Sequence, residues 1–301
     1  MPEVPAFPHP PHVDVRGVPK EYVHLTRDAT VLVSGWRCLE DGEFSLTAQW
    51  PSPDDGLRYD SRVLTQTIRQ SGLAIAHAAY GVPLSHQTLL HHFDFTVVPG
   101  FRVPSGRPSA LGVEVSVSES KRSRRAVSSL GVDIRLFQDN TMVARADSEF
   151  GWISPAVYRR LRGENLTAGW NEWPLPAPVD PRTVGRTSGT DVVLAPGEQP
   201  NQWQLRNDTA HFLLYDHPVD HVPGLVLLEA AHQAAQALLH PLPFEPTDVA
   251  STFERYVEFD RPCWIGAEVV PAPGPGQSTV LVTGTQDGQT VFRGRLSGPC
   301  G

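Results

Sequence analysis

The segment LLEAAHQAAQALLH, residues 227–240, repeats an earlier segment, LTQTIRQSGLAIAH, residues 64–77. At this offset of 163 residues, Gln70 falls on Gln233. Both segments are rich in small apolar side chains and lack proline, a pattern that predicts a helix buried on nearly all sides. Because a repeat of this kind marks duplicated structural units, we expect two similarly folded halves in one chain.

Each predicted helix is flanked by stretches of strand pattern. One strand pair is predicted before the first helix, at residues 30–51, and further strand pattern precedes the second, at residues 201–218. Two hairpins follow the helices, with turns at residues 138–140 and 286–288. We also expect a strand in each half near the aromatic residues Phe95 and Phe259. A curved antiparallel sheet around one apolar helix is the hotdog architecture.

The predicted fold is therefore an α+β tandem (double) hotdog. We place an N-terminal hotdog domain at 1–165, a linker rich in proline and glycine at 166–200, and a C-terminal hotdog domain at 201–301. The two halves are expected to pair as an internal pseudo-dimer, and a further homodimer is left open.

The composition excludes several classes of protein. The net charge is -8 and neither half is strongly basic, so nucleic acid is not expected as a partner. No apolar run approaches the roughly 18 residues of a membrane span, and the N-terminus has no signal-peptide pattern. The three cysteines are scattered, which favours a reducing, cytoplasmic location, and no Cys/His grouping suggests a metal site.

The stretch DHPVDHVPGLVLLEA, residues 216–230, places one carboxylate inside an apolar helix. A carboxylate in apolar surroundings is a stronger base than one in water, so Glu229 is the predicted general base. The N–H groups of Gly224 and Leu225 at the helix start are predicted to hold the oxyanion of a thioester carbonyl.

The spacing of Pro223 and Glu229 resembles that of the hotdog dehydratases and thioesterases acting on acyl carrier protein thioesters. In those proteins a histidine precedes a proline-glycine turn and a helical acid. The resemblance implies that His217 is the catalytic histidine.

Four motifs together resemble the A-factor biosynthesis (AfsA-type) family of streptomycetes: VHLT (23–26), TIRQSGLAIAHAAYGVPLSHQ (67–87), DHPVDHVPGLVLLEAAHQAA (216–235) and FERYVEFDRP (253–262). The resemblance implies transfer of a β-ketoacyl group from acyl carrier protein to the hydroxyl of dihydroxyacetone phosphate. The products are precursors of γ-butyrolactone, furan or butenolide signalling molecules. No cofactor is implied beyond the phosphopantetheine that carries the substrate.

Two residues depart from that family's pattern. Gln66 stands where the first helix usually has glutamate, and His232 stands where the second helix usually has arginine. Gln66 cannot act as a base but can hydrogen-bond a carbonyl or hydroxyl. His232 lies one turn after Glu229 on the same helical face, so the two form a predicted proton-handling pair.

The predicted mechanism brings these residues together between the two halves. The phosphopantetheine arm enters there, and Glu229, helped by His217, takes the proton of the acceptor hydroxyl. Arg69 is the predicted phosphate ligand, because a planar fork suits phosphate oxygens. The basic run SKRSRR, residues 120–125, is predicted to contact the carrier protein. The remaining predicted substrate-binding residues are Gln66, Gln70, Gln233 and His221.

Alternatives remain open at each position. Glu229 could be a structural acid paired with a loop arginine, Arg69 could join an ion pair between the halves, and Gln70 and Gln233 could maintain the fold. His217 and His221 could be loop residues that cap the helix start, and His232 could be a packing residue. The run SKRSRR could be a solvated strand end or loop. For the whole protein, the alternatives are a hotdog thioesterase or dehydratase, or a degenerate acyl-binding regulatory protein.

Overall fold

The computed structural model describes residues 15–53, 58–123, 126–167, 169–272 and 274–300. The α-helices in this part of the chain are α1 (Ser61–Ala78), α2 (Pro155–Arg162) and α3 (Gly224–Leu239). The strands of the first half are β1 (Arg16–Gly17), β2 (Val33–Glu40), β3 (Glu43–Trp50), β4 (Gln87–Val97), β5 (Ser109–Ser123), β6 (Ala126–Gln138) and β7 (Thr141–Ile153). Those of the second half are β8 (Leu194–Pro196), β9 (Gln202–Leu205), β10 (Asp248–Phe253), β11 (Cys263–Val270), β12 (Gln277–Gln286) and β13 (Gln289–Pro299).

The strands form one 13-stranded sheet in the order β1-β2-β3-β5-β6-β7-β4-β10-β13-β12-β11-β9-β8. All pairings are antiparallel, and the order of the second half mirrors that of the first. The two halves join where β4 pairs with β10, with Val249 opposite Phe95. The predicted double hotdog with an internal pseudo-dimer is therefore confirmed.

The two predicted hairpins form with two-residue turns. Asp139 and Asn140 have positive φ, as do Asp287 and Gly288, which is the conformation that tight β-hairpins require. The strand expected near Phe259 is different: β10 ends at Phe253, and Phe259 lies buried in the loop that follows. Phe259 is aromatic and buried, as a residue of a core strand would be, although it lies in a loop. Its hydrophobicity alone therefore suggested a strand.

Helix α1 begins at Asp60, whose carboxylate accepts a hydrogen bond from the Arg62 N–H and caps the helix. Most of its residues are buried, including polar ones. Gly72 lies against the ring of Phe150, where a Cβ atom would come within 2.6 Å of a ring carbon. The helix is thus enclosed by the sheet as tightly as its small side chains suggest.

Helix α3 follows Pro223 and is buried along its first twelve residues except for His232 and its first residue, Gly224. A Cβ atom at Gly224 would lie 3.0 Å from the Phe253 ring and 3.2 Å from Leu90. Because Leu90 belongs to β4 and Phe253 to β10, the start of α3 lies where the two halves meet.

The duplication includes the segment before each sheet. A 3₁₀ turn at Lys20–Val23 corresponds to one at Pro181–Val184, and each ends in a left-handed residue, His24 and Gly185. The domain boundaries stay predictions, but the segment predicted as a linker contains this turn and β8, both of which contact α3 or its neighbouring strand.

Candidate active site between the two halves

Glu229 is buried in α3, with 3% of the residue exposed. Arg186 binds it with two parallel hydrogen bonds, Nε to Oε1 at 2.8 Å and Nη2 to Oε2 at 2.7 Å. The Gln233 amide donates a further hydrogen bond to Oε1. This bidentate ion pair is the arrangement expected if Glu229 is a structural acid paired with a loop arginine rather than a general base.

The ion pair continues into a charged network that spans both halves. Arg186 Nη2 lies 3.4 Å from Ser61 Oγ at the start of α1. The next residue, Arg62, is buried and binds Asp60 in its own half and Asp191 in the other. These residues hold the start of α1 against the segment before β8.

A cavity of about 460 Å³ opens beside this network. Its walls come from both halves and are largely apolar. The lining includes Trp50, Val63, Val103, Arg62, His211 and Leu213. His211 Nε2 lies 3.2 Å from the carboxylate of Asp191, which also lines the cavity. A cavity between two halves, apolar with a few convergent polar groups, is the usual form of a small-molecule site.

Arg69 lies two turns further along α1 from Arg62. Its Nη1 donates a hydrogen bond to the Val23 carbonyl at 3.2 Å. Burial lowers the pKa of the guanidinium to about 10, and the nearby charge of Asp216 acts in the opposite direction. Among the described residues no carboxylate is within ion-pair distance of Arg69, so this cation is not neutralised by a direct partner.

Two histidines lie beside Arg69. His24 Nε2 is 2.8 Å from His77 Nε2, and His77 Nδ1 is 2.7 Å from the Val82 carbonyl. Because a carbonyl only accepts, His77 Nδ1 carries the proton, and His24 Nε2 then donates to His77. Burial, the largest cause, and the nearby charges of Arg69, His77 and His217 together lower the pKa of His24 to about 3. His24 is therefore neutral at physiological pH.

Asp216 and His217 form a dyad next to this cluster. His217 Nδ1 is 3.1 Å from Asp216 Oδ2. The same carboxylate accepts hydrogen bonds from the Thr26 N–H at 2.6 Å and from Thr30 Oγ1 at 3.0 Å. Burial alone would raise the pKa of Asp216, but these hydrogen bonds lower it to about 2. A fixed carboxylate on Nδ1 leaves His217 Nε2 as the available proton acceptor.

The described residues show no direct contact between two residues that the sequence placed together, His217 and Glu229. Within the described residues, His217 contacts Asp216 and lies near His24 and Arg69, all on the α1 side. Glu229 contacts Arg186 and Gln233 on the α3 side. No hydrogen bond or ion pair in the described part of the chain joins His217 to Glu229.

Gln70 and Gln233 make matching contacts with backbone. Gln70 accepts from the Leu32 N–H and donates to the Thr30 carbonyl. Gln233 accepts from the Val193 N–H and donates to the Asp191 carbonyl. Each glutamine thus fixes the segment that leads into the first strands of its own half, which accounts for its duplication. A role of either in substrate binding stays a prediction.

His232 does not pair with Glu229. Its Nδ1 is 2.9 Å from the Leu228 carbonyl, and its ring stacks on Phe95 with 6.1 Å between centroids. Burial lowers its pKa, although the charge of Glu229 acts in the opposite direction. The buried Nε2 has no hydrogen-bond partner among the described residues. A neutral, packed ring results, and proton handling by His232 stays a prediction.

The loop before α3 belongs to a separate network. His221 Nδ1 is 2.8 Å from Asp220, which also accepts from the Tyr158 hydroxyl and from Arg162. Arg162 in turn binds Glu258 with two hydrogen bonds. This network ties α2 to the loop, so His221 has structural partners. The oxyanion role of the first α3 amides, Gly224 and Leu225, stays a prediction.

Several residues that contribute to these clusters were not predicted from the sequence, among them His24, Arg62, Arg186, Asp191, His211 and Asp216. At an offset of 161 residues Arg186 falls on Leu25, so the correspondence of the two halves gives no sequence signal for an arginine at this position.

Two further predictions concern surfaces. Lys121 in β5 lies 3.5 Å from Glu149, whereas residues 124–125 of the basic run lie outside the described residues. Carrier-protein contact by this run stays a prediction. Within the described ranges no group of three metal-ligating side chains converges, and no helix there is long and apolar enough to cross a membrane.

The fold and the site between its halves define a double-hotdog protein. Solved structures of similar fold include 12:0-ACP thioesterase from Umbellularia californica, with a TM-score of 0.53, 11% identity, and coverage of 85% of this chain and 94% of that one. A hot dog protein from Alicyclobacillus acidocaldarius has a TM-score of 0.52 at 14% identity, covering 91% of this chain and 97% of that one. At such identities the likeness concerns the fold alone.

The chain belongs to the AfsA family, described as the A-factor biosynthesis hotdog domain, which matches residues 9–154 and 171–300. A relative from Streptomyces virginiae is 43% identical, covering 91% of this chain and 95% of the relative. A relative from Streptomyces coelicolor is 40% identical, covering 94% of this chain and 91% of the relative. Both are named 2-oxo-3-(phosphooxy)propyl 3-oxoalkanoate synthase. The family resemblance noted in the sequence is thus confirmed.

Proposed function

We propose that this protein transfers a 3-oxoacyl group from a thioester to the hydroxyl of dihydroxyacetone phosphate. The observation that carries the proposal is the match to synthases of one name over more than nine-tenths of this chain and of each of two relatives. That name describes an ester of a 3-oxo acid with a three-carbon ketone that bears a phosphate. The acyl donor is an acyl carrier protein thioester, and the product is the precursor of a γ-butyrolactone-type signalling molecule.

The reaction exchanges one bond for another. The acceptor oxygen forms a bond to the thioester carbonyl carbon, the carbon–sulfur bond breaks, and the hydroxyl proton reaches the departing thiolate. The protein must therefore supply a base beside the hydroxyl, a positive partner for the phosphate, and a channel for the thioester arm.

His217 is our proposed general base. Asp216 holds its Nδ1, which leaves Nε2 to accept the hydroxyl proton and then to return it to the thiolate. Its side chain is 36% exposed, so a substrate can reach it. Glu229 remains the base proposed from the sequence, but both of its oxygens are engaged by Arg186. That engagement favours His217.

Arg69 is our proposed phosphate ligand. One of its N–H groups is used by the Val23 carbonyl, and no described carboxylate pairs with it directly. A desolvated guanidinium binds phosphate oxygens more strongly than an exposed one, because water competes less. The proposed entry for the thioester arm is the cavity between the halves, which reaches the start of α1 at Arg62 and Val63.

The test is ester formation from a 3-oxoacyl thioester and dihydroxyacetone phosphate, followed by mass spectrometry. We expect His217→Asn to lower kcat by about 100-fold or more, the contribution of a positioned base. Arg69→Met should raise the KM for the acceptor and leave the KM for the thioester unchanged, and Arg69→Lys should restore part of the loss. Arg182→Met, at an arginine whose side chain is 87% exposed, is the matched control.

Each alternative function gives a different product. A thioesterase would release the free 3-oxo acid, and the rate would not depend on the acceptor. A regulatory acyl-binding protein would give no turnover at all. Either result with the wild-type protein would contradict the proposal.

A further inference from the structure

Gln66 occupies the middle of a polar row on α1. Arg62 lies one turn before it, beside the cavity, and Arg69 lies nearly one turn after it. With about 3.6 residues per turn, these three side chains share one side of the helix. A substrate arm that passes from the cavity to Arg69 must therefore pass Gln66.

The orientation of the Gln66 carboxamide is determined by its neighbour. Its Nε2 donates a 2.7 Å hydrogen bond to the Leu213 carbonyl, which can only accept. The oxygen Oε1 consequently cannot exchange places with the nitrogen. Only 8% of the Gln66 residue is exposed, and Oε1 is buried without a hydrogen-bond partner among the described residues.

An acceptor buried without a donor is unfavourable and rare, so it requires an explanation. Three side chains at matching positions of the two central helices are satisfied: Gln70 and Gln233 bind backbone at both ends, and Glu229 is paired. Gln66 alone among these four leaves an oxygen open. Leu213, which holds its nitrogen, also lines the cavity.

We propose that Gln66 Oε1 accepts a hydrogen bond from the amide N–H of the pantetheine arm that carries the acyl group. This inference rests on the proposed function and identifies how the acyl donor is held. The acceptor hydroxyl is a poorer partner, since its single proton must be directed to the base. The arm offers an N–H that takes no part in the chemistry.

The spacing along the helix agrees with this arrangement. Gln66 and Arg69 are three residues apart, a rise of about 4.5 Å. In the arm, two methylene groups separate the amide nitrogen from the sulfur, a comparable distance. An amide bound at Gln66 therefore places the thioester at the level of Arg69, the proposed phosphate ligand, whose charge interacts with Asp216 of the Asp216–His217 dyad.

The test exchanges one atom in the ligand and one side chain in the protein. The ligands are a 3-oxoacyl thioester of N-acetylcysteamine and its analogue with the amide N–H replaced by an ester oxygen. Wild type should prefer the amide by about tenfold in kcat/KM, the value of one hydrogen bond at a buried acceptor. In Gln66→Met, which keeps the length and loses the acceptor, the preference should fall to about one.

The controls keep the inference separable from the proposed function. Gln236→Met changes another helical glutamine, which binds only backbone at Leu242 and Phe244, and should retain the tenfold preference. The unreactive thioether pair, measured by calorimetry, should show the same ratio in Kd without turnover. Because each ratio is taken within one protein, partial unfolding of a variant cancels.

An unchanged preference in both Gln66→Met and Gln66→Leu would overturn the assignment of the arm amide to Gln66. A wild-type protein that binds the thioether with the expected preference but forms no ester would instead refute the proposed function. The two failures are therefore distinguishable.

Discussion

Removing one partner of the buried ion pair between Arg186 and Glu229 should strongly destabilise the protein. Both side chains are nearly inaccessible, with 8% of the Arg186 side chain and 2% of the Glu229 side chain exposed. Loss of one partner leaves the other charge buried and unpaired, at a cost of about 3–5 kcal/mol. We therefore expect Glu229→Gln and Arg186→Met each to lower the free energy of unfolding by about that amount.

The double variant Arg186→Met/Glu229→Met should behave differently. Replacing a buried ion pair by apolar side chains of similar size is often nearly neutral, because the desolvation penalty of both charges disappears. Gln233 loses one acceptor but keeps the Asp191 carbonyl. We expect a loss below about 2 kcal/mol, so the coupling energy of the cycle should exceed about 4 kcal/mol in magnitude.

Urea unfolding, followed by tryptophan fluorescence and circular dichroism, measures the four proteins of the cycle. Glu254→Gln is the matched control, because Glu254 pairs with Arg293 on the surface and its loss should cost less than about 1 kcal/mol. A double variant as unstable as the sum of the single variants would refute the reasoning.

Activity of the double variant bears on the role of Glu229. If Glu229 only supports the start of α3, the folded double variant retains ester formation. If it is the general base that the sequence suggested, the folded double variant is inactive. The single variant Glu229→Gln cannot separate these cases, since its instability alone would lower activity.

Two further changes test the α1 side of the site. The free energy of unfolding of the wild type should fall as the pH falls from 6.5 towards 3, because over that range His24 gains a proton only in the unfolded state. The free energy of unfolding should change by up to about 1.4 kcal/mol per pH unit. His24→Asn, which tolerates the left-handed φ of 55° at this position, should reduce that slope in urea titrations between pH 7 and 4. Gln70→Leu should lower the free energy of unfolding by about 2–4 kcal/mol, since it orphans the Leu32 N–H and the Thr30 carbonyl, and calorimetry that shows an unchanged Tm would contradict its structural role.

The fold could be predicted because its determinants are local and repeated. Two helices that are apolar on nearly all sides require a surrounding sheet, and the two hairpin turns carry residues that adopt positive φ. The position of Phe259 could not be predicted in this way, because a buried aromatic in a loop and one in a strand have the same local sequence signal.

The site was less predictable, for a physical reason. The sequence identified the buried acid Glu229 and the histidine His217. The arginine that pairs with Glu229 lies 43 residues away, and the Asp216–His217 dyad is held by Thr26 and Thr30 in the other half. Such pairings depend on how the two halves meet. Spacing along a helix predicts which side chains of that helix share a face. It does not predict their partners from other segments.

Comparison of the two halves gives the strongest argument about Glu229. Gln66 and Glu229 correspond at an offset of 163 residues, and Leu25 and Arg186 correspond at 161. In the first half, the helix carries the uncharged Gln66, and the position that corresponds to Arg186 is the buried Leu25. In the second half, a carboxylate accompanies an arginine that neutralises it. The two positions therefore differ together, as expected if the arginine serves to compensate the acid and both serve the packing of α3. This argument supports the proposal that the reactive face is that of α1, which has the open Gln66 oxygen, an arginine without a direct carboxylate partner in the described residues and the adjacent Asp216–His217 dyad.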